Sequence, residues 1–154
     1  MTREEAESII EAAIDQLVQN DSELLDLGVT ERALSHRLAH FMQLSRLVRP
    51  PLVVDCEYNR HFDEPKRLRL PPRKALDREA RATTVFPDIV VHQRNSDERN
   101  LIVLELKKPG EDVDYDELKL RAFREELGYL HAAHVILGRT ADGTLVRRIE
   151  WRDD

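Results

Sequence analysis

Two short apolar runs, Phe86 to His92 (Phe-Pro-Asp-Ile-Val-Val-His) and Leu101 to Lys107 (Leu-Ile-Val-Leu-Glu-Leu-Lys), carry three charged side chains, Asp88, Glu105 and Lys107. An unpaired charge taken from water into a low-dielectric interior costs several kcal/mol, so strands this oily hold such groups only where something compensates them. Side chains two apart in a strand share a face, which puts Glu105 and Lys107 on one side and Leu104 and Leu106 on the other. If the connection between the runs has an even number of residues, Asp88 stands opposite or diagonal to Glu105 on the same face, the carboxylates about 5 Å apart. At an effective dielectric near 20, two such charges repel by about 3 kcal/mol, a large share of a domain stability of about 5 to 15 kcal/mol. A hard cation relieves that repulsion. Mg²⁺ suits the site, with Mn²⁺ as the alternative, because Mg²⁺ takes one or two carboxylates and leaves its other positions to water and substrate oxygens. An ammonium beside a cation-bound water, the place open to Lys107, favours hydroxide and stabilises charge building on phosphorus. The chemistry these residues support together is phosphodiester hydrolysis.

A scaffold must hold them. Thr2 followed by Glu5 has the form of a capping box, and Ala6, Ile9, Ile10, Ala13, Ile14, Leu17 and Val18 repeat at helical spacing, which predicts an amphipathic helix with an acidic outer face. Asn20 to Asp26 adds a short turn that Gly28 stops, and Thr30 caps a second helix whose buried stripe includes Leu34, Leu38, Phe41 and Met42. Pro50 and Pro51 end that element. Leu52 to Asn59 alternates as a strand, with Leu52, Val54, Cys56 and Tyr58 on one side and Val53, Asp55, Glu57 and Asn59 on the other. Arg60 to Thr84, with Pro65, Pro71 and Pro72, reads as a long surface loop holding a short helix near Ala75 to Ala82. The strands around Asp88 and Glu105 form a hairpin across Arg94 to Asn100. Asp114 to Leu130 is a helix with Leu118, Ala122, Phe123, Leu127 and Leu130 inward. His134 to Thr140 and Thr144 to Trp151 are strands closed by a type I′ turn at Asp142 and Gly143. The expected class is α/β, a mixed central sheet flanked by helices in a single domain over 1–154, of which 1–28 form an N-terminal acidic helical extension.

Pro87 and Asp88, then Glu105, Leu106 and Lys107, meet the motif of the PD-(D/E)XK nuclease superfamily without substitution, and the chain resembles that superfamily. Its core is a helix, three strands, a helix and a further strand, and residues 30–151 supply those elements in order. The resemblance therefore implies a restriction-endonuclease-like αβββαβ core with an extra N-terminal helix and a C-terminal hairpin. It implies a metal-dependent nuclease acting on DNA rather than RNA. Asp88 and Glu105 would bind Mg²⁺, with the backbone carbonyl of Leu106 as a third protein ligand, and Lys107 would assist the attacking water. Many members carry an acid on the first core helix that completes the metal environment, and Glu31 occupies the corresponding place. In related small nucleases a basic or amide side chain on the helix after the lysine contacts phosphate; Lys119 matches that position, with Arg121 behind it. One active site cuts one strand, so double-strand cleavage would need a homodimer, a second domain elsewhere or successive nicks.

Ordinary readings stand beside these. Asp88 after Pro87 could cap a strand, Glu105 and Lys107 could be a surface ion pair worth about 0 to 1 kcal/mol, and Glu31 could be an acid favoured by the helix dipole. Lys119 could be a solvated helix lysine. Glu57 and Asn59, on the polar face of their strand, together with Arg60 and Lys66, are candidates to approach nucleic acid. Tyr58 could stack on a base, but its side of the strand points to the core. His92 falls on the Asp88 face as a proton carrier or a structural group, and His36, His40, His131 and His134 lack the carboxylates of a zinc site. Trp151 reads as packing.

Charge distribution bears on partners. The net charge is −6, yet residues 1–26 hold eight acids against Arg3 alone, while the segment from Arg60 to Arg81 has eight basic and four acidic side chains. That basic segment suits a nucleic-acid backbone, and the acidic first helix offers a solvated face or a surface for a protein partner. The alternative function is a noncatalytic nucleic-acid-binding or protein-assembly module on the same fold. No apolar run approaches the roughly 20 residues that cross a bilayer, and the start lacks the oily stretch of a signal peptide, so the expected location is cytoplasmic, away from membranes. A single cysteine, Cys56, allows neither an internal disulfide nor a cysteine-based zinc site and suits a small core residue.

Overall fold

The computed structural model describes residues 1–61, 64–65, 67–70 and 83–152. Helices α1 (Arg3–Asn20), α2 (Ser22–Asp26) and α3 (Glu31–Gln43) precede strands β1 (Val53–Cys56), β2 (Ile89–His92) and β3 (Asn100–Lys107). Helix α4 (Asp114–Leu127) and strands β4 (His131–Arg139) and β5 (Leu145–Trp151) follow. The five strands form one sheet in the order β1-β2-β3-β4-β5. Neighbours are antiparallel except β3 and β4, which run parallel because α4 carries the chain back across the sheet. Two short ladders, Arg60–His61 with Glu64–Pro65 and Arg67–Leu68 with Thr83–Thr84, lie between β1 and β2 in sequence. The architecture is thus mixed α/β, a five-stranded mixed sheet flanked by helices. Among the described residues no helix is long and apolar enough to cross a membrane.

The local signals account for the helices. Thr2 and Glu5 close the capping box of α1, and the Thr30 hydroxyl accepts from the Ala33 amide to open α3. Each face of the sheet has its own core. Ile89, Val91, Ile102, Leu104 and Leu106 point toward α1 and α3, whereas Val90 and Val103 point toward Leu120, Phe123 and Leu127 of α4. Cys56 is half-buried against the first core, and the Trp151 ring packs there too, beneath the Arg3 guanidinium.

Several expectations need correcting. Strand β1 ends at Cys56, because Glu57 takes a left-handed backbone (φ +49°) that breaks the alternation. Tyr58 consequently packs on the α4 side of the sheet, edge-on to His92, and not with Val54 and Cys56. Helix α4 stops at Leu127, leaving Leu130 half exposed, and it is rotated so that Leu118 faces out while Asp116 and Leu120 face in. Phe41 is only partly buried, its ring covered by the Arg37 guanidinium. The turn between β4 and β5 is not type I′, since Asp142 does not have the positive φ that type requires. Thr140 and Thr144 instead close a three-residue loop in which Gly143 (φ +84°) donates to the Thr140 carbonyl and the Asp142 carboxylate accepts from the Thr144 amide. Lys66 and the short helix expected near Ala75 to Ala82 lie outside the described residues.

Candidate active site

Ile89 pairs with Leu104, and one further step along that register sets Asp88 opposite Glu105. Both carboxylates, with Lys107, therefore project toward α4; the connection inside the His92–Asn100 pair is odd in length, and the bulge between Val91 and His92 restores the register that an even connection would have given. Asp88 is fixed by the Leu106 amide, which donates to its Oδ2 at 2.7 Å. Glu105 sits mid-sheet and is only 3% exposed. Its Oε1 faces the Lys119 ammonium at 2.8 Å without the alignment of a hydrogen bond. Lys107 reaches Asp116 Oδ2 at 2.7 Å and Glu31 Oε1 at 3.9 Å.

Glu31 comes from the other side of the sheet. It begins α3, which packs on the Leu104 face, and it meets Lys107 around the end of β3. Glu111 lies beside Glu31, and its Oε2 accepts from the Lys108 amide at 3.1 Å. The structure thus brings together Glu31, Asp88, Glu105, Lys107 and Lys119. Glu57 is elsewhere: it is exposed and pairs with Arg32 at 2.8 Å, though its amide donates to the Asp88 carbonyl. Asn59 is half-buried and Arg60 exposed, both just past β1.

The sequence reading missed Asp116. An acid in the first turn of a helix looks like a response to the dipole, but here it is 8% exposed and touches two lysines. The available signal was the spacing Asp116, Lys119, Leu120, Phe123, which defines one helix face; Phe123 anchors that face in the core.

Burial sets the electrostatics. It pushes Glu105 well above the usual carboxylate range, with Lys119 opposing and Asp88 and Asp116 adding to the rise. Burial likewise raises Asp88 against the pull of the Leu106 amide and Lys119. Glu31 is pushed up to about 7 by burial and its hydrogen bond to Glu111, with Lys107 opposing. For Lys107, burial works downward, but the bond and charge of Asp116 outweigh it and hold the ammonium above its ordinary value. Lys119 is raised in the same way, Glu105 overcoming its burial. Four acids, Glu31, Asp88, Glu105 and Asp116, share two ammoniums, so full ionisation would leave two uncompensated negative charges.

That surplus, and the buried Glu105 and Glu31 oxygens without a hydrogen-bond partner among the described residues, fit a divalent cation held by Asp88 and Glu105. Among the described residues no group of three or more His, Cys, Asp or Glu side chains is placed to hold a metal ion, so the fit rests on two carboxylates, a number that Mg²⁺ accepts. His134 stands in register with Glu105 and is fully buried, its ring nitrogens unpartnered among the described residues. Burial and Arg152 lower its basicity, so it adds no third cation to the site.

On the same side of the sheet, His92 Nε2 lies 3.0 Å from Asp55 Oδ2, and Arg94 also binds Asp55. His92 thus anchors the β1 edge and does not contact the acid cluster. Compared with protein-family models, with curated proteins and with solved structures, the chain matches none.

Proposed function

We propose that this chain is a Mg²⁺-dependent nuclease that hydrolyses phosphodiester bonds, in DNA rather than RNA, on a restriction-endonuclease-like αβββαβ core. The observation that carries the reading is the convergence of Asp88, Glu105 and Lys107 on one face at the end of a buried central strand. Structural ion pairs can be placed anywhere on a surface, but a buried acid in a central strand with a second, half-buried acid set against it at the strand's end needs a compensating use.

Asp88 and Glu105 would hold the cation, with the Leu106 carbonyl beside them. When bound, Mg²⁺ supplies a Lewis acid for a phosphoryl oxygen and makes its water more acidic. Lys107, kept protonated by Asp116, places a fixed positive charge where a phosphate oxygen gains charge. Glu31, whose carboxyl sits at about 7, can accept a proton from a water near neutral pH. Arg60, Lys66 and the basic segment they belong to would follow the nucleic-acid backbone, the phosphates lying toward the open end of β3.

The test is cleavage of linear, nicked, branched and single-stranded DNA by purified protein with Mg²⁺ or Mn²⁺. Wild type should cut, and Lys107→Ala should lose about 100-fold or more of the rate with its fold intact. Unchanged cutting by that variant would trace the activity to another site or a contaminant. A noncatalytic module on this scaffold is the second reading, favoured by the fact that the lysines already hold the cluster together; it predicts nucleic-acid binding or assembly with no cutting under any condition.

A further inference from the structure

The four innermost charges are paired crosswise between strand and helix. The strand acid Glu105 faces the helix lysine Lys119 at 2.8 Å, and the helix acid Asp116 faces the strand lysine Lys107 at 2.7 Å. Asp116 uses Oδ2 for Lys107 and turns Oδ1 toward Lys119, 3.6 Å away. It therefore has one oxygen engaged and one in reserve. The Glu105 contact is an ion pair without hydrogen-bond alignment, on a carboxylate that is 3% exposed. A charge-assisted hydrogen bond from lysine to carboxylate is usually about 2.8 Å long, so Lys119 needs to move only slightly to complete one with Asp116. The four-carbon stem of lysine permits such a move.

A divalent cation on Glu105 and an ammonium against the same carboxylate would repel each other strongly in this dry setting. We infer that Lys119 is a tethered counter-ion: it neutralises Glu105 in the cation-free protein, competes with Mg²⁺ for that carboxylate, and passes to Asp116 when the cation binds. Lys119 then sets the threshold of metal binding, and Asp116 is a positioning residue that receives the displaced charge while keeping Lys107 in place. The arrangement gives Asp116 a task that a structural salt bridge to Lys107 alone would not require. This rests on the metal-site reading above.

Titration calorimetry with MgCl₂ and MnCl₂ tests it without reference to cleavage. Lys119→Gln should bind at least tenfold tighter than wild type, and Asp116→Asn several-fold weaker. Lys108→Gln, which removes a nearby lysine held by the Gly28 carbonyl, controls for net charge and should change affinity less than threefold. Asp88→Ala should abolish binding. If Asp88→Ala abolishes binding but Lys119→Gln is no tighter than Lys108→Gln, the counter-ion inference fails while the metal site stands. If neither wild type nor Lys119→Gln binds either metal, both fail. Should Lys119→Gln not fold, the wild type decides: the side-chain ammonium resonance of Lys119 should shift as Mg²⁺ saturates the protein, and a resonance that stays put overturns the exchange.

Discussion

Replacing Lys119 with Met keeps most of the stem's volume and deletes the ammonium, which isolates what the charge contributes to the fold. Its Nζ lies 2.8 Å from Glu105 and 3.6 Å from Asp116, and it donates to the Phe86 carbonyl at 3.2 Å. At an effective dielectric near 20 the two ion pairs amount to about 6 and 5 kcal/mol of gross attraction. Desolvation of the lysine offsets much of this, and Glu105 escapes part of the loss by keeping a proton. Breaking a buried pair from one side typically costs about 3 to 5 kcal/mol, so at pH 8 the variant should melt roughly 6 to 20 °C lower. A carboxyl raised in the native state keeps its proton after the unfolded chain has released its own, so this group's contribution to stability falls as pH rises above the ordinary glutamate value. Loss of Lys119 raises Glu105 further, so the deficit should widen from pH 5 to pH 8 and narrow below about pH 4. Urea denaturation followed by circular dichroism in EDTA measures this, alongside Glu105→Gln and the double variant. The double variant should recover at least about 1.5 kcal/mol of the summed single losses. A deficit under about 1 kcal/mol at pH 8, or one that does not change with pH, refutes the reasoning.

Other perturbations probe the rest of the framework. Glu31 is raised to about 7, so metal-free wild type should lose stability between about pH 4.5 and 7; Glu31→Gln should remove that slope and gain at most about 1 to 2 kcal/mol at pH 8, after allowance for solvent screening, in the same denaturation series. Burial works to raise Asp55, but the bonds from His92 and Arg94 outweigh it and hold the carboxyl below its usual range. Asp55→Asn should therefore cost about 1 to 3 kcal/mol at pH 7, a deficit that shrinks below the ordinary aspartate value, where the unfolded chain takes up a proton before the native carboxylate does; an equal deficit at pH 7 and pH 2.5 would contradict this. A Cβ added at Gly138 (φ +156°) would lie 2.9 Å from Pro109 Cδ, so Gly138→Ala should destabilise by about 1 to 3 kcal/mol in urea melts.

The strand acids were legible because alternation fixes which face a side chain takes, and Asp88, Glu105 and Lys107 needed only a hairpin register to meet. The register was open in the sequence because the connection contains a bulge, which shifts His92 onto Asn100. The helix side was less legible. Leu118 and Leu130 look inward by composition, yet the buried stripe passes through Asp116, Leu120, Phe123 and Leu127, since the charged cluster of β3 demands polar partners from the facing helix. Hydrophobic periodicity has no means of marking an aspartate as interior. The face of Glu57 was not legible for a local reason: a single left-handed residue ends the alternation from which it was read.

Why the acids gather at this point follows from how the sheet ends. Continuing the Ile89–Leu104 register by two residues sets Pro87 opposite Leu106. Proline has no N–H, so it cannot return a hydrogen bond to the Leu106 carbonyl, and the ladder between β2 and β3 cannot continue there. The Leu106 amide is satisfied instead by the Asp88 carboxylate at 2.7 Å. In a strand the amide and carbonyl of one residue face the same neighbour, so the Leu106 carbonyl points to the same opening as Asp88. Central strand β3 thus outruns its partner, and the backbone left over at its end is buried between α3 and α4 and not at a sheet edge. Pro87 and Asp88 act as one device: the first ends the pairing, and the second supplies the acceptor that the missing strand no longer provides. The Leu106 carbonyl and the two carboxylates face this gap because pairing between β2 and β3 ends at Ile89 and Leu104 while β3 runs on to Lys107.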